Sequence, residues 1–296
     1  MENSKKCKQL ATQVGLGLRP SHYSEILNGP RRVSWFEVVT ENYLNSWGLP
    51  RKHLHHIRSQ YELATHGVGL SLGSQPAYRL DYLKLLKQFI HEFEPFIVSD
   101  HLCWTSTVHH NSHDLLPLKK DEKTLTAVCQ NIGSIQDFLG QTIAIENVSQ
   151  YVCFADEEME EVEFIHNVCQ KTGCKWLLDI NNVYVNGVNF QKDPYAYINQ
   201  VHTEHVVQYH IAGHTPCDDY LFDTHRGPVP REVILLAQHT LGKLGNKPML
   251  LEWDTEIPAY DQLLEERARL QHLLMPATQH STLKTDEKSP YASLSI

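Results

Sequence analysis

Residues 175–186 read KWLLDINNVYVN. A short apolar run, Lys175–Leu178, ends on an acid, Asp179. The run is continuous rather than alternating, as in parallel strands covered on both faces. The same arrangement recurs along the chain: His66 in ATHGVGLSLGS, His101 in IVSDHLCW, Glu146 in TIAIENVS, His210 in VVQYHIAGH and Glu252 in MLLEWD. The intervals of roughly 30 to 45 residues match one strand plus one helix per repeat. Such repeats bring strand ends to one rim of a barrel, where these folds do their chemistry.

Working outward, eight apolar, β-branched-rich runs lie near Val14–Leu18, Phe36–Val39, Val68–Leu72, Phe96–Val98, Thr142–Ile145, Lys175–Leu178, Val206–Ile211 and Met249–Trp253. Helical patterns separate them. Leu83–Phe93 is apolar on one face, and Glu122–Leu139 follows Asp121 as N-cap. Glu157–Lys171 stops at Gly173. Pro230 opens a helix that Gly242 or Gly245 closes, and Ile257–Leu274 precedes Pro276. The spacing predicts an α/β fold: one (β/α)8 barrel over residues 14–276, with an N-terminal extension over 1–13. The polar, weakly periodic segment 277–296 is expected to be a disordered tail.

The chain has 296 residues, enough for one barrel domain with a sizeable core. A net charge of -9 argues against non-specific nucleic-acid binding. No run of 18 apolar residues occurs, and the basic N-terminus lacks the apolar core of a signal peptide. The seven cysteines show no regular pairing and no CxxC, so reduced thiols and a cytoplasmic location are expected.

The strand-end set is His, Asp and Glu without cysteine, which suits iron, manganese or zinc. Carboxylates on adjacent repeats, Glu146 and Asp179, are expected to bridge two or three ions. Asp223 and His225, in FDTHRGPV, form a second pair in the loop after the seventh strand. His214 is either a ligand or the group that orients one. Asn182 either lends its amide oxygen or belongs to a tight turn with Asn181. Glu41, Arg19 and His22 follow the first two strands and are expected near the same rim, as substrate contacts or supports. No GxGxxG, P-loop or GxSxG occurs.

Together these segments resemble the multinuclear non-heme iron-dependent oxidative enzymes, a family that includes the catalytic subunit of methanobactin biosynthesis. The matching pieces are GLGLRPSHY, FEVVTENY, HGVGLSLGS, SDHLCW, DLLPL, IAIENVS, LLDINNVYVN, HIAGH, DTH and LLEWDTEIP, spread over residues 14–258. The resemblance implies a TIM-type, xylose-isomerase-like barrel holding two or three iron ions in mixed Fe(II) and Fe(III) states. It implies that O2 is used to modify cysteines of a ribosomally made precursor peptide, with a small partner protein presenting that peptide. Carried over, the ligand set is His66, His101, Glu146, Asp179, Asn182, His210, Asp223, His225 and Glu252. Glu41, Asp179 and His225 are the expected catalytic groups, with Arg19, His22, His214 and Arg226 as supporting or substrate-contacting residues. Arg226 and Gly227 stand where many relatives carry an acid and a histidine, a departure that bears on substrate contacts more than on metals. Two other classes use a similar rim: zinc or manganese barrels of the sugar-isomerase or phosphodiesterase kind, and a non-catalytic metal- or peptide-binding scaffold.

Overall fold

The computed structural model describes residues 2–74, 80–106 and 111–275. Eight parallel strands close a barrel in sequential order. They are β1 (Val14–Gly17), β2 (Trp35–Val39), β3 (Glu62–Gly67), β4 (Val98–His101), β5 (Ala144–Glu146), β6 (Lys175–Asp179), β7 (Val206–Ala212) and β8 (Met249–Glu252). β8 closes on β1 through Val14 against Met249. This is the TIM-type architecture that the strand rhythm predicts. The expected tail, 277–296, lies outside the described residues.

The period-2 alternation of a strand explains how the interior is divided. Trp35, Ala64, Ala144, Leu177 and Leu250 form an apolar cluster on the barrel floor with Phe96, Ile97 and Leu10. Leu10 comes from the N-terminal helix Glu2–Leu10, which closes that end. Two residues further along each of those five strands, the same face carries Glu37, His66, Glu146, Asp179 and Glu252, all buried. The interior thus changes from apolar to ionisable within one residue pair per strand. Residues at the alternate positions, such as Phe36, Leu63, Ile145, Trp176, Leu178 and Leu251, belong to the larger core. A Cβ on Gly15 would lie 2.3 Å from the Trp35 ring, so the fully buried indole occupies the space a side chain there would need.

Three sequence expectations need correction. The third strand is Glu62–Gly67, not Val68–Leu72. Its register, Val39 against His66, ends the ladder just past His66. Leu70 and Leu72 are buried because the loop after β3 folds onto the core, so an apolar run here marks a covered loop. The helix expected at Glu157–Lys171 begins at Glu161, with Glu160 as N-cap, and ends at left-handed Gly173. Asn181 and Asn182 do not form a tight turn. They open the helix Ile180–Asn189, whose N-cap Asp179 accepts a hydrogen bond from Asn182 N. That helix is rich in Asn and Val, poor formers on their own, and burial of Ile180, Val183 and Val185 overrides propensity. Asp121 caps Glu122–Leu139 as expected, accepting from Thr124 N.

Two antiparallel two-stranded sheets follow the carboxyl ends of β4 and β7. They pair Trp104–Ser106 with Asn111–Leu116, and Thr215–Pro216 with Leu221–Phe222. Among the described residues, no helix is long and apolar enough to cross a membrane.

Candidate metal centre

His101, Glu146, Asp179 and Glu252 are the last residues of β4, β5, β6 and β8, and His66 is the penultimate residue of β3. The ladder places His101 opposite Glu146 and Asp179 opposite His210. The strand ends therefore deliver these groups to one level of the barrel mouth.

At one side, Glu146 Oε2 lies 2.9 Å from His66 Nε2 and 3.2 Å from His101 Nε2. The two Nε2 atoms are 3.2 Å apart. Their opposite nitrogens are committed elsewhere. His101 Nδ1 donates to Gly67 O at 2.9 Å. His66 Nδ1 lies 2.8 Å from Ser99 Oγ, whose own proton goes to Thr65 O, so Nδ1 donates. In neutral rings both lone pairs then converge on the same carboxylate oxygen. That arrangement calls for a cation between them.

The centre continues inward. His210 Nδ1 lies 3.3 Å from Glu146 Oε1 and 3.1 Å from Glu252 Oε1. Its Nε2 faces Glu37 Oε1 at 3.2 Å and the Gln208 amide nitrogen at 2.9 Å, and that amide donates to Glu37 Oε2 at 2.6 Å. Glu37 only accepts, while the Gln208 amide already donates to Glu37, so the carboxylate favours the proton on Nε2 and leaves Nδ1 to bind, the usual way a second carboxylate orients a ligating imidazole. Asp179 Oδ1 accepts from Asn182 N. The Asn147 side chain holds this corner: its Oδ1 accepts from Asp179 N and Trp176 Nε1, and its Nδ2 donates to Asp179 O.

Further out, His225 Nε2 is 3.0 Å from Asp223 Oδ1, and its Nδ1 is 3.3 Å from Asp254 Oδ2 and 3.4 Å from Glu252 Oε2. Arg19 forms an ion pair with Asp254. Asn181 Nδ2 donates to Asp223 Oδ1, and His214 Nδ1 donates to Asn181 Oδ1. His214 therefore acts on Asp223 through Asn181.

Three donor groups result: His66, Glu146 and His210; Glu146, Asp179, His210 and Glu252; and His225, Glu252 and Asp254. Glu146 and His210 are common to the first two, and Glu252 to the last two. The shared carboxylates are therefore Glu146 and Glu252, while Asp179 belongs to one group. Donor atoms about 2.1 Å from one ion stand about 3.0 Å apart in an octahedral shell and about 3.4 Å apart in a tetrahedral one. The spacings here match that range. Six atoms of the set, Glu146 Oε2, Asp179 Oδ2, Asn182 Oδ1, His210 Nδ1, His225 Nε2 and Glu252 Oε2, are buried without a hydrogen-bond partner. Buried polar atoms are seldom left so, and cations held among these groups would give them partners. The residues fit a multinuclear metal group.

Electrostatics agrees. Burial and then the Glu146, Glu252 and Asp223 carboxylates push the Asp179 carboxyl well above its usual range. Burial disfavours charge on His66, but Glu146 outweighs it and lifts the imidazole to about 9. Burial and the His66 charge push His101 down to about 4. One proton thus resides between two imidazoles where a cation would otherwise stand.

Other residues singled out in the sequence stand apart from these groups. Glu41 Oε1 accepts from Val68 N and the Tyr82 hydroxyl, clamping the loop after β3. His22 is buried against Tyr260, with Nε2 2.8 Å from Pro258 O. Arg226 pairs with Glu256 at the surface. Sequence reasoning missed Glu37, Asn147, Gln208 and Asp254.

The family described as RiPP precursor modification enzyme MbnB/TglH/ChrH matches residues 13–275. The chain belongs to this family. Among its relatives, a UPF0276 protein of Caulobacter vibrioides is 43% identical over 253 residues, covering 85% of this chain and 90% of that one. A UPF0276 protein of Vibrio parahaemolyticus is 39% identical, covering 90% and 93%. Solved structures share the fold alone. An L-ribulose 3-epimerase superposes with a TM-score of 0.57 at 14% identity, over 88% of this chain and 91% of that one. A putative xylose isomerase from Rhodospirillum rubrum gives 0.56 at 11%, over 90% and 99%. For this MbnB/TglH/ChrH member, a place in the maturation of ribosomally made peptides follows from the family.

Proposed function

We propose that the chain is an iron- and O2-dependent oxidoreductase that modifies a cysteine of a ribosomally synthesised precursor peptide. Its cofactor in this reading is two or three iron ions in mixed Fe(II) and Fe(III) states. The observation that carries the reading is the sharing of Glu146 and Glu252 among three donor groups. A single-ion site has no use for that sharing. Imidazole and carboxylate without thiolate suits iron. When bound, iron would supply the acceptor for a substrate thiolate and the electrons for O2 chemistry.

The chain's own groups have distinct tasks. His66, His101, Glu146, Asp179, His210 and Glu252 hold the buried part of the centre, with Asn182 Oδ1 aimed from the helix that Asp179 caps. Asp179 gives up its proton as a cation binds, so metal uptake and proton release are coupled. Glu37 fixes the His210 tautomer. The group of His225, Glu252 and Asp254 is the most exposed and lies nearest an arriving peptide. Tyr151, whose hydroxyl accepts from Asp223 N, packs with Tyr220 and Phe222 beside it. These three rings are partly exposed at the mouth and suit a peptide backbone and its apolar side chains. A small partner protein that presents the peptide belongs to the same reading, supported by the family resemblance.

The test is purification without oxygen, elemental analysis, and O2 uptake with a cysteine-containing precursor peptide. More than one iron per chain and peptide-dependent O2 consumption are expected. Stoichiometric zinc or manganese with sugar isomerisation, or a full complement of metal with no O2 uptake, would sink the proposal.

A further inference from the structure

A second convergence of imidazoles lies outside the rim. His166 sits on the helix Glu161–Thr172, and His202 and His205 flank the turn that enters β7 at Val206. One ring nitrogen from each lies within 4.8 Å of the others. The His166 and His202 rings stack at 3.9 Å, and His205 stands 5.2 Å from His166. His166 Nε2 lies 3.1 Å from Gln200 O, which only accepts. The His202 backbone N–H donates to the same nitrogen at 3.3 Å, so these partners fit either tautomer. Nδ1 is buried with no hydrogen-bond partner, and in the tautomer that donates to Gln200 O it offers its lone pair. Glu204 Oε1, 3.9 Å from His202 Nδ1, adds negative charge at the edge.

We propose that His166, His202 and His205 form a second metal site that takes a divalent cation of the zinc class. Three imidazoles without thiolate suit zinc, nickel or copper, and leave a fourth position for water. The site ties the helix Glu161–Thr172 to the segment entering β7. His205 precedes His210 by five residues, about 16 Å along an extended strand, so the two sites share no donor.

The test uses protein carrying whatever rim metal it retains on purification, titrated with Zn2+ against a chromophoric chelator. The unaltered protein should take up one equivalent more than the His202→Asn, His205→Asn double variant. His202→Asn alone should weaken that uptake at least about tenfold. His202 is exposed, so the single variant keeps its fold, and its rim metal content should be unchanged. Equal zinc uptake, in number and tightness, by all three proteins overturns the proposal. The readout is a difference between proteins with the same rim, so it stands or falls separately from the iron reading.

Discussion

The Nε2 atoms of His66 and His101 face one another at 3.2 Å with Glu146 Oε2 within reach of both. Each ring is locked from behind, by Ser99 and by Gly67 O. Replacing His101 with Ala removes a donor whose partner cannot turn to compensate. Metal retention should fall at least about tenfold, and turnover in the proposed reaction should drop with it. Elemental analysis of the purified variant checks this. Full metal content with normal activity would show that His101 is not a ligand.

Glu37→Gln tests the orientation of His210. The amide matches the carboxylate in size but removes the charge that holds a proton on Nε2. A loss of roughly 10- to 100-fold in metal affinity or activity is expected, with the fold intact. Glu37→Asp keeps the charge with a shorter reach and should recover part of the loss. A Gln variant that binds and turns over like the parent would assign Glu37 to packing alone.

Much of the centre was legible because Glu146, Asp179 and Glu252 lie at or near the ends of apolar runs, and parallel strands of a barrel end at a common level. Glu37 was hidden for the complementary reason. It lies inside the run Trp35–Val39 and reads as one acid in a strand, although it shares the inward face of Trp35. Asn147 directly follows Glu146, where an amide resembles ordinary turn chemistry, and only the fold shows it gripping Asp179. Asp254 lies beyond its strand, and only its spacing from Glu252 hinted at a shared site. The third strand was misplaced because Val68–Leu72 is more apolar than Glu62–Gly67. Hydrophobicity reports burial, while strand pairing depends on register.

Gly15→Ala probes the floor beneath the centre. The added Cβ would meet three atoms of the Trp35 ring at 2.3 to 2.6 Å. Trp35 is fully buried beside Phe96 and cannot swing away. Overpacking of this kind should cost about 3 kcal/mol, read by urea denaturation. Adding Trp35→Phe should recover part of that loss by freeing space. If the single variant is as stable as the parent, the floor is looser than this packing implies.

Metal-free protein should lose stability as the solution turns alkaline. His66 is lifted from 6.5 to about 9 because Glu146 outweighs the burial that opposes its charge. A base whose folded pKa exceeds its unfolded value stabilises the fold fully below the unfolded pKa. That stabilisation is lost as pH climbs through the folded value. The window therefore runs from 6.5 to about 9, and the shift corresponds to on the order of 3 kcal/mol. With a cation bound, the His66 lone pair is engaged and the alkaline decline should vanish. Urea denaturation of chelator-stripped and metal-replete samples across this range separates the two cases. Stripped protein that is as stable at the alkaline end as at the neutral end would show that the His66–Glu146 pair does not hold the metal-free cluster together.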